Sequence, residues 1–501
     1  MAKDITKFPD ESSFVRLRGY GVYEKLLEGN HYSAYISEMT EKFSDKYKYL
    51  RYLSCNFAGL LSKVIADVLF GEKAIIESKT KNKEEQAFID ALIYENKLDT
   101  QFYESALLNS ARGDAVLRVR VEDNQIKIED INPAMYFPQV SRNFRNEPEV
   151  KVLAWKEDYT VGEKLETYLI KEKHTKGFIE TSVYLMKSKD DQEIVRKLSI
   201  DEFNELSGQK IEETVVTGID EIPIIHIPNF RVANTYWGTS DYADLQSLFF
   251  AINNRMTSID NILDKHSDPI LAVPEGVLDE NGNVEKSALG MIEVRGGEGK
   301  PEYIVWNANL ESAFKEVDKI VEMIFLFGEV SPDVVGLDSK SGAKAESGRA
   351  LKLRMLRTLA KKNRKALYYE LGIQKAIEVA SMFAKVGKYT VGEIGYTGEP
   401  IVPVVTFADG VVDDKVEEVQ NETLKYESGL TSRKRAIKTI EDMDDKEAEA
   451  LIEEIDKDKE DKADFSIEGL LHKESAVANN NLNQNVNTNE SKGTVQEGKA
   501  V

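Results

Sequence analysis

The chain has 501 residues, 41% of them hydrophobic, a formal net charge of −22, one cysteine and five histidines. That apolar fraction is enough for several packed cores, while a lone Cys55 excludes an intramolecular disulfide framework and the scattered His31, His174, His226, His266 and His472 form no pair at metal-ligand spacing. The acidic balance argues against static wrapping of nucleic acid, because phosphate binding rests on Lys and Arg displacing counterions; it leaves room for a polyanion in transit, which tight affinity would slow.

Charge is also uneven, since residues 409–501 hold 13 Lys and Arg against 24 Asp and Glu, half of the net excess. No run of about eighteen apolar residues is present, and the start at Met1 lacks an apolar signal core. The expectation is a soluble protein, made inside the cell, without membrane contact.

Residues 1–30 are mixed in character and predict a loosely held arm. Tyr35 to Phe70 places Leu50, Leu53, Phe57, Leu60, Leu61, Val64 and Val68 at helical spacing, and a second helix is expected over Lys83–Ser110. Ala115–Val121 alternates at period two, turns at Glu122–Asn124 and returns as Gln125–Ile131, the pattern of a hairpin. Further strands are expected at Val150–Trp155, Glu166–Lys173, Phe178–Lys187 and Ile222–Pro228. Helix and strand are segregated rather than alternating, so residues 35–230 read as one α+β unit.

Gly238-Thr-Ser-Asp241 supplies capping side chains for a helix start. From Asp241 to Lys265, the apolar residues Leu245, Leu248, Phe249, Ile252, Met256, Ile259 and Leu263 recur at three- and four-residue steps. Pro269 ends that run, and Ile270–Val305 reads as a small β insertion with a tight turn at Asp279-Glu-Asn281-Gly282. Asn309 then caps a second amphipathic helix carrying Leu310, Ala313, Phe314, Val317, Ile320, Val321 and Ile324.

Ser331–Ala345, with Pro332, Gly336 and Gly342, predicts a mobile loop. Glu346–Val386 is a cationic helix in which Arg349, Lys352, Arg354, Arg357, Lys361, Lys362, Arg364 and Lys365 alternate with Leu353, Leu356, Ala360 and Leu367; such a run is either a solvated face or a phosphate contact. After strands at Lys388–Tyr396 and Ile401–Phe407, Asp413–Asp461 reads as two or three charged helices broken at Gly429 and Met443–Asp445. Beyond Asp464 the Asn-rich sequence offers too few apolar groups to order it.

Three strings carry a family resemblance: Gly238–Tyr242 with Ala251–Arg255 and Ser258, Glu346–Arg354, and Glu427–Arg433 followed by Ile440–Glu449. Together, in this order, they resemble the portal (head-tail connector) proteins of tailed bacteriophages, of the siphovirus type from Gram-positive hosts. The resemblance implies a multi-domain α+β subunit assembling into a ring, usually of twelve copies, at one capsid vertex. It divides the chain into an N-terminal arm (1–34), a wing (35–240), stem helix 1 (241–266), a clip (267–308) and stem helix 2 (309–328). A channel loop (329–345), a long basic helix with wing strands (346–408), an acidic helical crown (409–465) and a disordered tail (466–501) follow.

The implied site residues are Pro332, Gly336, Lys340, Gly342, Lys344 and Arg349 at the channel, and Glu275, Asp279, Asn281, Gly282 and Glu298 for clip docking. Leu245, Phe249, Ile252, Met256, Ile259, Phe314, Val317, Ile320 and Ile324 would pack the stem. The implied partners are double-stranded DNA in transit, the terminase large subunit, a head-completion or adaptor protein, and the major capsid and scaffolding proteins; the implied location is the virion, after assembly in the host cytoplasm. Twelve helices side by side close a bore of roughly 28 Å, wide enough for a B-form duplex.

No enzyme motif competes and no cofactor or metal is expected. Gly336 and Gly342 are six apart and Ala343 follows, which breaks the phosphate-loop pattern. Asp413, Asp414, Glu417 and Glu418 diverge on a helix, leaving a metal-dependent nuclease poorly supported. A capsid-internal scaffold or adaptor with an acidic tail is the remaining alternative.

Overall fold

The computed structural model describes residues 7–35, 52–140, 147–232, 235–267, 270–274, 291–294, 302–304, 310–337, 352–408, 415–441, 443 and 445–464. It divides into two compact units, residues 1–345 with 349–411, and residues 346–348 with 412–501.

In the first unit, α1 (Glu11–Leu27), α2 (Phe57–Phe70), α3 (Lys83–Glu95) and α4 (Leu98–Arg112) precede the central sheet. Strand β1 (Ile75–Glu77) lies apart and pairs with β16 (Val404–Thr406). β2 (Asp114–Glu122) and β3 (Gln125–Ile131) form the expected hairpin, with Glu122 opposite Gln125. Asp123 and Asn124 both take positive φ, 48° and 64°, the two-residue turn whose twist suits the flanking strands.

β10 (Ile224–Pro228), β14 (Thr390–Val391) and β15 (Ile394–Gly395) complete the order β10-β2-β3-β14-β15. Phe88, Leu92, Phe102, Leu117, Ile128 and Ile373 lie in its core, the last from α8 (Leu356–Gly387).

An outer antiparallel sheet runs β4 (Tyr136–Pro138), β5 (Lys151–Val161), β6 (Lys164–Thr175), β7 (Phe178–Met186) and β8 (Ile194–Leu198), with β9 (Thr214–Val216) also on β7. Successive side chains point to opposite faces. Thus Ile170 packs with Val183, Leu198 and Phe203 of α5 (Ile200–Ser207), while Leu169 packs with Val152, Ala154, Met186, Phe8 and Phe137.

Helices α6 (Gln246–Ser267) and α7 (Leu310–Gly328) pack on each other and on α1 and α2. Between them in sequence lie β11 (Ile270–Pro274), β12 (Met291–Val294) and β13 (Glu302–Ile304), ordered β12-β11-β13.

The second unit holds α9 (Lys415–Glu427), α10 (Arg433–Glu441) and α11 (Asp445–Asp464), three helices separated near the expected breaks. Gly429 supplies the left-handed turn at φ 72°, and Arg433–Asp456 (2.6 Å) and Lys434–Glu449 (2.7 Å) tie α10 to α11. Among the described residues, no helix is long and apolar enough to cross a membrane.

Several expectations need correction. Residues 11–27 are a docked helix rather than a loose arm. Asp10 caps it by accepting from the Ser13 amide at 3.0 Å, Tyr20 and Leu26 are buried, and Arg16 stacks on Trp237 at 3.9 Å while donating to the Pro133 and Tyr136 carbonyls.

The helix expected within Tyr35–Phe70 starts at Phe57, because Asn56 accepts from the Gly59 amide and caps it there; residues 36–51, with Leu50, lie outside the described residues. The helix over Lys83–Ser110 is two, broken where Asn96 turns its side chain to the Leu92 carbonyl and the Ile128 amide and Lys97 takes φ 52°.

The strands flanking the Asn281-Gly282 pair, β11 and β12, run parallel. The tight turn expected at Asp279–Gly282 lies outside the described residues. The tail beyond Asp464 lies outside the described residues.

Candidate functional site

The paired α6 and α7 form a rod about 30 Å long. Leu245, Phe249, Ile252, Ile259, Ile320 and Ile324 are buried, and Met256 and Val317 are half-buried against the same cluster. Phe314 differs, being 46% exposed near the start of α7. It was expected to pack, and its spacing keeps it on the same stripe as Val321 and the buried Phe325, so what exposes it is its place along the helix and not its face.

Within the Gly238–Asp241 string, Ser240 Oγ accepts from the Tyr242 amide at 3.0 Å, but this caps the turns ahead of the helix and not the regular helix itself. The regular helix begins five residues later, at Gln246, because these four residues fasten the chain to the turn between α4 and β2. Gly113 sits in that turn at φ 93°, a conformation that suits glycine. A Cβ at Gly238 would stand 2.0 Å from the Gly113 carbonyl oxygen. The Ser240 hydroxyl donates to the Ala111 carbonyl, and the Asp241 amide donates to Ser110 at 2.9 Å. Next to it, buried Asp114 accepts from the Tyr20 hydroxyl (2.6 Å) and the Gly238 amide (2.8 Å) and bonds His226 Nε2 (2.6 Å).

Asp241 itself is a hub, with its side chain only 2% exposed. Oδ1 meets Lys361 Nζ at 3.0 Å and accepts from Asn229 Nδ2 at 3.1 Å. Oδ2 meets Lys365 Nζ and the Ser110 hydroxyl, both at 2.6 Å. Burial acts to raise the Asp241 carboxyl, but the charges of Lys361 and Lys365, with hydrogen bonds from Lys365 and Ser110, outweigh it and hold the group well below the usual carboxylate range. Burial pulls Lys365 down to about 8, against the opposing attraction of Asp241.

Three cations of the expected solvated or phosphate-facing helix are thus turned inward. Lys361, Lys362 and Lys365 are buried. Lys361 donates to the Gly328 carbonyl at 2.8 Å, Lys362 donates to the Ala408 carbonyl, and Lys365 also donates to Asn229. One turn earlier, Thr358 Oγ1 accepts from the Ser331 amide at 2.8 Å; one turn later, Tyr369 meets Ser105 and Asn109. Outside this face, Arg354 pairs with Asp333 at 3.3 Å and Arg364 with Glu329.

The described part of the expected channel loop is short. Pro332–Val335 forms one 3-10 turn ended by Gly336 at φ 72°. Lys340, Gly342, Lys344 and Arg349 lie outside the described residues, as do Glu275, Asp279, Asn281, Gly282 and Glu298, and so do the side chains of Asp413, Asp414, Glu417 and Glu418.

Asp241, Lys361, Lys362 and Lys365 were missed as a site. A signal was present. The small and apolar positions Ala384, Ala380, Ala376 and Gly372 mark the buried face of α8, and continuing it backwards by helical steps reaches Tyr369, Lys365, Lys361 with Lys362, and Thr358.

No match was found among curated proteins. Among solved structures, the neck of an empty GTA particle computed with C6 symmetry aligns at 13% identity and a TM-score of 0.43, over 80% of this chain and 91% of that one. A chain from the virion of a native gene transfer agent (GTA) particle aligns at 14% identity and 0.42, over the same shares. The family model described as "Phage portal protein, SPP1 Gp6-like" matches residues 19–464. The chain belongs to that family of phage portal proteins.

Proposed function

We propose that copies of this chain join laterally into a ring, twelve in number, that stands at one capsid vertex and conducts double-stranded DNA during packaging and ejection. The role is structural and involves no catalytic chemistry. The observation that carries the lateral contact is a stripe on the long helix. Leu356, Leu367 and Leu371 of α8 are 61–66% exposed in the single chain. At 100° per residue Leu356 and Leu367 fall roughly opposite the buried Thr358, Lys361 and Lys365, and Leu371 falls to one side of them. A helix that turns its lysines inward and its leucines outward is suited to a protein neighbour rather than to water.

The stem fits a conduit electrostatically. On α7, Lys315 pairs with Glu311 (2.7 Å) and Lys319 with Glu322 (2.5 Å), while Arg255 of α6 pairs with Glu316 (2.6 Å). Cations neutralised in this way attract phosphate weakly, which suits a strand that must slide.

In this reading α6 and α7 are the stem, residues 267–308 the clip, 35–240 the wing and 409–465 the crown. The clip docks the terminase motor and later a head-completion protein, and the loop with Lys340 and Lys344 meets DNA in transit.

Negative-stain imaging and native mass of the purified protein test the proposal. Closed rings with a central hole are expected, and a lone unpierced particle, alone and from virions, would overturn it. Normal packaging by rings carrying K340E and K344E would remove the loop from the mechanism. Normal motor docking after deletion of residues 275–298 would remove the clip.

A further inference from the structure

Three segments that a moving stem must carry with it meet one face of α8. Asp241, five residues before stem helix α6, is held by Lys361 and Lys365. The Gly328 carbonyl, at the last residue of stem helix α7, accepts from the same Lys361. The Ser331 amide, just before the turn that enters the expected channel loop, donates to Thr358. Thr358, Lys361 and Lys365 follow one another at helical steps of three and four, so a rigid helix sets their spacing.

Stability alone is a weak reason for such a cluster. Two ammonium groups share one carboxylate out of water, and a buried ion pair or triad can often be replaced by apolar residues of similar volume without loss. Directional contacts do something that apolar packing does not. A hydrogen bond weakens steeply once its length or angle leaves a narrow range, whereas an apolar contact tolerates sliding. If α7 moved independently, Lys361 would lose the Gly328 carbonyl while remaining buried, and an unmatched buried polar group is costly. The ends of the two stem helices and Ser331 are therefore bound to move as one body.

We propose that the inner polar face of α8, through Thr358, Lys361 and Lys365 with Asp241, is a positioning device that couples the base of the stem to the segment leading into the channel loop. The inference rests on the conduit reading for the identity of that loop, and its test needs no DNA.

Hydrogen–deuterium exchange on the full-length assembled protein decides it. In the variant D241N/K361M/K365M, which removes all three charges together, residues 241–248 and 329–337 should both exchange about tenfold faster, because both have lost the shared anchor. The β2–β3 hairpin should keep its protection and the melting midpoint should stay close to that of the unaltered protein. Unchanged exchange in the two segments would overturn the proposal. So would a uniform rise that includes β2 and β3, the mark of a purely stabilising cluster.

If the triple variant does not fold, Thr358→Val decides, since it removes only the acceptor for Ser331. Faster exchange at residues 330–337 with 241–248 unaltered is expected, and no change at 330–337 would overturn the coupling. Negative stain on the same samples separates this result from the conduit reading, because ring closure and local exchange are scored independently.

Discussion

The two halves of α8 close the same buried face by different chemistry. Toward the C-terminus, Gly372, Ile373, Ala376, Ile377, Ala380 and Ala384 lie against the central sheet, so closely that a Cβ at Gly372 would stand 2.4 Å from Ile227 Cδ1. Toward the N-terminus, Thr358, Lys361, Lys362 and Lys365 are as well buried but meet carbonyls, an amide and a carboxylate. The first half is held by shape and the second by matched polar partners. Shape fails gradually as volume changes, whereas a polar match fails abruptly when one member is removed.

The largest expected effect breaks the match. Asp241→Ala leaves two ammonium groups buried without their carboxylate and should cost about 3–5 kcal/mol, read as a drop in the urea midpoint or as loss of soluble protein. A cost below about 1 kcal/mol would show that water reaches the lysines, and the contrast between the halves would disappear.

A pH series sharpens the comparison at the next level. Lys365 sits at about 8 in the folded chain, below its ordinary 10.5, so between those values the folded state binds fewer protons than the unfolded one and stability rises with pH. Below pH 8 the penalty of keeping the buried ammonium charged is fully present. Over that window the unaltered protein should gain up to about 3 kcal/mol relative to K365M, and parallel pH curves for the two would contradict it. Asp241 adds a dependence of the same sign at the acid end. Its lowered carboxyl supplies stability above the ordinary carboxylate value, and this is lost as pH falls through the depressed folded value.

The smallest effect on folding is expected on the outer side of the same helix. L367S and L371S should each change stability by less than about 0.5 kcal/mol, yet together they should shift native mass from rings toward single chains. Rings that persist would move the lateral contact elsewhere.

Much of the fold was legible because its signals are local. The β2–β3 hairpin is written in alternation and an Asp-Asn turn, α6 and α7 in apolar steps of three and four, and the three helices of the second unit in their breaks at Gly429 and Met443. The site was less legible because its signals are distant in sequence. Asp241 reads as a capping residue until the lysines more than a hundred positions later are known to reach it, and those lysines read as solvated because a lysine's partner is not encoded beside it. Gly238 reads as a turn residue, although what requires it is the Gly113 carbonyl oxygen. Helix α1 escaped for another reason: only Tyr20 and Leu26 are buried along its 17 residues, too few to set a period.

Lys361 reaches Asp241 at 3.0 Å and the Gly328 carbonyl at 2.8 Å, so the chain leaves the body and returns to it within the span of one side chain. On the proposed reading, the segment between residues 268 and 309 is a module carried on that socket. A lineage could lengthen, shorten or replace that cap to suit a new docking partner, with the body's own packing left as it was.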